Sequence, residues 1–234
     1  MRLAPSPNLG WRVLAVAVGA LFAPVAPAAA NVPLTRVSSD PFTNTTSQHA
    51  TEVEPDTFSS GSTIVSVFQV GRFFNGGATD IGFATSTNGG ATYATSGFLP
   101  GLTATSGIGG TTGAPFERVS DPSVAFDARH NVWLASSIPL TSTLVVPVVF
   151  ISRSTNGGRT WDAPVSISAP TASKVSLDKN WSVCDDTPSS PHYGNCYTEF
   201  DNASVGDQIQ MSTSTDGGLT WPTKCATRLL KSSS

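Results

Sequence analysis

Apolar and polar residues alternate over short runs along most of this 234-residue chain, and Gly, Pro, Ser, Thr and Asn interrupt them too often for helices. A period of two places every second side chain on one face of a strand. Three runs share one layout. Ile81 and Phe83, Val149 and Ile151, and Ile209 and Met211 stand at the same distances before a Ser-x-Asn/Asp-Gly-Gly turn, and each pair marks the third strand of a unit. Upstream, residues 63–70, 131–136 and 195–200 fit a second strand, and segments beginning near Glu54, Asp121 and Asp178 fit a first. A short outer strand follows in residues 92–98 and 160–168, whereas after the third turn Pro222, Lys224 and Cys225 break the pattern. The expectation is an all-β chain with no long helix.

The turn belongs to an octapeptide: STNGGATY at 86–93, STNGGRTW at 154–161 and STDGGLTW at 214–221. Asn88, Asn156 and Asp216 carry short side-chain oxygens that accept from backbone N–H groups, and Gly90, Gly158 and Gly218 permit positive φ. The hydroxyls of Ser86, Ser154 and Ser214 and of Thr92, Thr160 and Thr220 can satisfy further backbone groups. Tyr93, Trp161 and Trp221 offer a large apolar body to pack beneath the hairpin. One Asn-Gly-Gly is an ordinary hairpin turn; three copies with the same flanks specify a repeat. The anchors are 156 − 88 = 68 and 216 − 156 = 60 residues apart, room for four short strands per repeat.

These segments resemble Asp-boxes, written Ser-x-Asp-x-Gly-x-Thr-Trp, the hairpin signature of the sialidase-like β-propellers, also called BNR repeats. Two copies carry Asn for Asp, and one carries Tyr for Trp. The resemblance implies an all-β, sialidase-like β-propeller with about three four-stranded blades present of an expected six. The expected organisation is a secretory signal peptide at 1–30, a polar leader at 31–47 able to supply an edge strand, blades at 48–100, 116–170 and 171–234, and a Gly/Thr linker at 101–115. In such propellers the box lies on the outer part of the blade, so its residues serve folding. Half a ring leaves sheet faces and edges uncovered, and self-association or poor solubility is expected. The tail KCATRLLKSSS lacks alternation and reads as divergent, truncated or frame-shifted.

Arg2 and Arg12 precede an apolar run at 13–22, and Ala28-Ala29-Ala30 before Asn31 offers the small residues a signal peptidase requires. A membrane anchor is the alternative, but the run is shorter than the roughly 20 residues of a spanning helix, and Pro24 and Pro27 follow it. The reading is a secreted protein with no membrane anchor after cleavage. A net charge of −3 and the lack of Lys/Arg clusters interleaved with aromatics argue against a nucleic-acid partner. No phosphate-binding Gly-rich loop occurs, and no cofactor is expected. Cys184 and Cys196 bracket the loop DDTPSSPHYGN and suit either a disulfide or two buried thiols. A metal site there is disfavoured, since only His192 accompanies them; Cys225 is left over.

The resemblance implies that each blade's first strand lines a central channel. Glu54-Pro55, Asp121-Pro122 and Asp178-Lys179 occupy matching places at the start of that strand, with Arg118 three residues before Asp121 and Trp181 three after Asp178. Carboxylates near a channel mouth suit glycan binding or hydrolysis, where one carboxyl protonates the leaving oxygen and a second group acts as base or nucleophile. The alternative is that Glu54, Asp121 and Asp178 cap turn amides. Sialidases bind the substrate carboxylate through three arginines, the first in an Arg-Ile-Pro motif, and no Arg-Ile-Pro occurs here. Arg36 and Arg72 are read as arginines in turn or apolar contexts. Sialidases also use a Tyr activated by a Glu as nucleophile, and Tyr197 and Glu199, two apart on one face of one strand, do not form that spatial pair. His49, His130 and His192 sit in polar turns. Two classes of function remain: a secreted glycosidase acting on a glycan or glycoconjugate, or a non-catalytic module that binds carbohydrate or protein.

Overall fold

A computed structural model describes residues 34–104, 116–168 and 176–222 and the backbone of Ala226–Thr227. The expected signal peptide, residues 105–115 of the linker and Cys225 lie outside these residues. From Arg36 onward the chain forms one compact unit.

Its strands fall into three antiparallel meanders: β1 (Glu52–Ser60), β2 (Thr63–Arg72), β3 (Ala78–Ser86) and β4 (Thr95–Phe98); β5 (Arg118–Asp127), β6 (Val132–Leu140), β7 (Val148–Ser154) and β8 (Val165–Ser168); β9 (Leu177–Cys184), β10 (Cys196–Asn202), β11 (Gln208–Ser214) and β12 (Ala226–Thr227). One backbone bridge, Ala78 of β3 opposite Val119 of β5, links the first two meanders. The third does gain an outermost strand, since Ala226 and Thr227 pair with Met211 and Gln210 although alternation had lapsed. A backbone ladder needs only N–H and C=O groups. Residues 36–50 form no edge strand: the chain there is irregular, with a turn and bend at 45–47 and a turn at 49–50. Phe42 packs on Phe98 with its ring tilted by 59° and the centroids 4.9 Å apart and, with Val37, covers Phe68 and Ala84 on the outer face of the first meander.

The meanders stack face to face, and the core lies between them. Val65, Val67, Ile81 and Phe83 of the first pack against Val124, Trp133, Ala135 and Phe150 of the second. Leu134, Val149 and Ile151 on the second's other face meet Leu177, Cys196 and Phe200 of the third. Ile81, Phe83, Val149 and Ile151 are at most 6% exposed, whereas Ile209 and Met211, in the same register on the third meander, are 48% and 38% exposed. Nothing among the described residues lies over that face.

Each octapeptide closes on its own side chains. The Ser86 Oγ accepts from Gly90 N at 2.9 Å and donates to Asn88 Oδ1, which accepts from Thr92 N at 2.9 Å. The bonds recur at Ser154, Asn156 and Thr160 and at Ser214, Asp216 and Thr220. Asn and Asp interchange because the threonine hydroxyl adapts: it accepts from the Asn88 and Asn156 amides and donates to Asp216 Oδ2. Trp161 is buried against Phe83, their rings 5.9 Å apart, and Trp221 is half-buried against the second core. The turns also tie successive meanders together: Thr85 Oγ1 donates to Gly158 O at 2.6 Å and Arg153 Nε donates to Gly217 O at 2.7 Å.

Gly158 has φ +75°, and a Cβ there would meet Val65 Cγ2 at 2.5 Å, whereas a Cβ on Gly157, at φ +77°, would meet open space. Gly157→Ala is expected to cost about 1 kcal/mol through backbone strain alone. Gly158→Ala should cost about 2–4 kcal/mol, because it adds overpacking between the meanders. Denaturant melts of the two variants distinguish these outcomes, and equal losses would contradict the close approach.

Candidate functional site

The first strands of the three meanders, β1, β5 and β9, run side by side, and each is interrupted by a bulge at the same place. Pairing with the second strand slips between Val53 and Asp56, between Ser120 and Ser123, and between Asp178 and Trp181 opposite the step from Asp201 to Glu199. Two residues thus oppose one, the geometry that re-aims a side chain. The first bulge residue has positive φ in every case: Glu54 52°, Asp121 48° and Lys179 50°. Holding a non-glycine residue there stores about 1–3 kcal/mol of strain, which the surrounding sheet must sustain.

Register therefore aligns Lys179, not Asp178, with Glu54 and Asp121. The sequence alignment slid by one residue because Pro55 and Pro122 have Asn180, not proline, as their counterpart. Asp178 lies before the bulge, opposite Asp201, exposed, and its carboxylate accepts from Lys179 N. Two residues past the bulge, the side chain secures the neighbouring strand: Asp56 Oδ2 accepts from Val124 N at 2.8 Å and Ser123 Oγ from Ser182 N at 3.2 Å. Trp181 holds the matching place in β9 and is 55% exposed.

A cavity of about 370 Å³ opens over these bulges, lined by Glu54, Pro55, Asp56, Asp121, Pro122, Lys179, Asn180, Trp181 and Glu199. A chain of polar contacts runs beneath it across all three meanders. Arg72 Nη1 donates to Glu54 Oε1 at 3.2 Å and to Gln69 Oε1 at 2.9 Å. The Gln69 amide donates to Glu54 Oε2 and, at 3.0 Å, to Ser120 Oγ, which donates to Asp121 Oδ1 at 2.7 Å. Lys179 Nζ lies 3.5 Å from Asp121 Oδ2. The Asp121 charge holds the Lys179 ammonium above the ordinary lysine range, with Glu54 and Asp178 adding to it. Below the site, burial and then the charges of Asp178, Asp207 and Asp121 push Asp201 up.

The remaining candidates go elsewhere. Arg118 lies over the Phe73 ring at 4.2 Å and donates to Asn75 Oδ1 and Gly76 O, so it braces the β2–β3 loop and lines no wall of the cavity. His130 bonds Asp127 at 2.6 Å in the β5–β6 turn, and His49 bonds Asn44 O. Tyr197 receives a hydrogen bond from Asn195, away from the cavity, whereas Glu199 lines it. Cys184 and Cys196 face each other across β9 and β10 and are disulfide-bonded. Among the described residues no group of three His, Cys, Asp or Glu side chains could hold a metal, and no helix is long and apolar enough to cross a membrane.

No protein-family model matches the chain, and no curated protein matches it. Among solved structures it is similar to the Hadza microbial sialidase Hz136, at TM-score 0.53 and 18% identity, over 71% of this chain and 36% of that one. It is also similar to Trypanosoma rangeli sialidase in complex with sialic acid, at TM-score 0.50 and 16% identity, over 75% of this chain and 30% of that one. The chain has a sialidase-like β-propeller fold. It spans about a third of the length of those two structures. In propeller terms β1, β5 and β9 are inner strands, and the cavity opens where they bulge together.

Sequence reasoning located Glu54 and Asp121 but missed Gln69, Arg72, Ser120, Lys179, Asn180 and the role of Glu199 in this propeller's cavity. Arg72 follows an apolar strand, and only cross-strand register brings it to Glu54. The one available signal was Gln69, a polar side chain amid a run of apolar strand residues. Bulge strain is directly testable: Lys179→Gly relieves a positive φ at a site whose side chain is 76% exposed. It is expected to raise the unfolding free energy by about 1 kcal/mol; a denaturant melt showing a loss instead would mean that the ion pair to Asp121 outweighs the strain.

Proposed function

We propose that the chain is a glycan-directed β-propeller of the glycosidase type, whose sugar enters the cavity over the three inner-strand bulges. The observation that carries this reading is the joint presence there of two carboxylates on neighbouring inner strands, Glu54 and Asp121, and the exposed Trp181 indole. Carboxylates accept from sugar hydroxyls, and an indole face packs on the C–H face of a sugar ring. The two sialidases to which the chain is similar, one of them with sialic acid bound, support a glycan as ligand. In hydrolysis one of Glu54 and Asp121 would protonate the leaving oxygen and the other would act as base or nucleophile.

Binding without hydrolysis is the second reading, and one observation favours it. Glu54 is paired with Arg72 and Asp121 with Lys179, so both carboxylates already accept from cations of the protein. Glycan-array binding and turnover of fluorogenic glycosides separate the two readings. Asp121→Asn, which tolerates the positive φ, is expected to lower glycan affinity at least tenfold while leaving stability within about 1 kcal/mol. Unchanged glycan retention by this variant would remove Asp121 from the site.

Residues 1–30 serve in this reading as a secretory signal and the octapeptides as Asp-boxes; the Cys184–Cys196 disulfide suits an oxidising compartment. The open face of β11 bearing Ile209 and Met211 is covered in solution by a second copy of the chain. Residues 37 and 42 already cover the first meander's outer face, so the open face pairs with itself and closes a two-fold dimer rather than a filament. Light scattering should give about twice the mass of one chain, and a joint Ile209→Lys and Met211→Lys variant should give a monomer. A wild-type monomer at micromolar concentration would contradict this pairing.

A further inference from the structure

The cavity's polar groups are unbalanced. Its walls carry the carboxylates of Glu54, Asp56, Asp121 and Glu199 against a single ammonium, that of Lys179. Asp56 is already engaged by Val124 N and Thr57 N. Lys179 faces Asp121 at 3.5 Å, and the nearest guanidinium, Arg72, sits behind Glu54, bonded to it and to Gln69. Both cations are therefore committed to carboxylates of the protein.

A second observation concerns unfilled acceptors. Asn180 lines the cavity, is 3% exposed, and donates from Nδ2 to Ser136 Oγ at 2.8 Å, while its Oδ1 has no hydrogen-bond partner. Asp121 Oδ2 faces only the Lys179 ammonium, at 3.5 Å, a distance too long to fill it well. A buried acceptor left unfilled is costly, and what fills it must donate. A sugar hydroxyl or amine does so. A ligand carboxylate does not: it would bring two more acceptors and a negative charge into a cavity already rich in both, and would have to displace Asp121 from Lys179.

Resting on the glycan reading above, we propose that this cavity takes a donor-rich sugar without a carboxylate, a neutral or amino sugar, and discriminates against sialic acid-like termini. Trp181 supplies the apolar face for the ring. Hydroxyls donate to Asp121, Glu54, Glu199 and Asn180. The carboxylates that attract these donors repel an acid, so selectivity and affinity come from the same groups.

The test uses the purified full chain, with nuclear magnetic resonance dispersion establishing that it is folded, and titrates it with methyl hexosides, glucosamine and methyl α-sialoside at fixed ionic strength. The expected result is at least tenfold tighter binding of a neutral or amino sugar than of the sialoside. The double variant Glu54→Gln and Glu199→Gln is expected to shrink that ratio at least tenfold by lifting the repulsion. Equal or tighter binding of the sialoside would overturn this inference and leave the glycan reading standing. A folded chain that binds none of the sugars would overturn both. An unchanged ratio in the double variant would show that these carboxylates do not set the selectivity.

Discussion

A four-stranded sheet with apolar side chains on both faces, and no helix to cover either, can be stable only when sandwiched. That constraint governs this molecule. The first meander is covered by Phe42 and Val37 on one side and by Trp133 and Phe150 on the other, and the second by its two neighbours. Because burial of each face removes apolar area from water in proportion to its extent, the two larger core clusters, which lie between meanders, make their stacking the main source of stability. The third meander carries Ile209 and Met211 in the register of Ile81 and Phe83, and there both are exposed.

Stacking also creates the site. Once the sheets lie face to face, their first strands come side by side, and three bulges at one level turn Glu54, Asp121 and Lys179 toward a common cavity. The hydrogen bonds from Val124 N to Asp56 and from Ser182 N to Ser123 hold adjacent inner strands at this level. The buried Gln69 amide joins Glu54 to Ser120, linking β2 of one meander to β5 of the next. Structure and candidate function thus share one layer of side chains, and three of the non-glycine residues with positive φ, Glu54, Asp121 and Lys179, fall within it.

The all-β class, the order of four strands per repeat and the octapeptide turn were legible in the sequence because they depend on contacts within a few residues. Alternation reports which side chains share a strand face, and the Ser–Asn–Thr bonding pattern closes within four positions of the chain. Glu54 and Asp121 stood out for the same local reason, each followed by a proline at a strand start. Asp178 was matched to them wrongly, and Arg118 was placed near them although it braces Phe73 and Asn75, because neither bulge register nor side-chain direction is encoded in spacing alone.

By itself the sequence determined a repeated antiparallel β unit, the hairpins that delimit it and two of the acids at its inner strands, all consequences of local periodicity and turn chemistry. Only the tertiary structure decided that Lys179 occupies the third bulge, that Arg72 and Gln69 support Glu54, and that Asn180, Trp181 and Glu199 complete the cavity. Those residues come from strands more than a hundred positions apart, and they meet because burying apolar sheet faces fixes how one meander sits on the next.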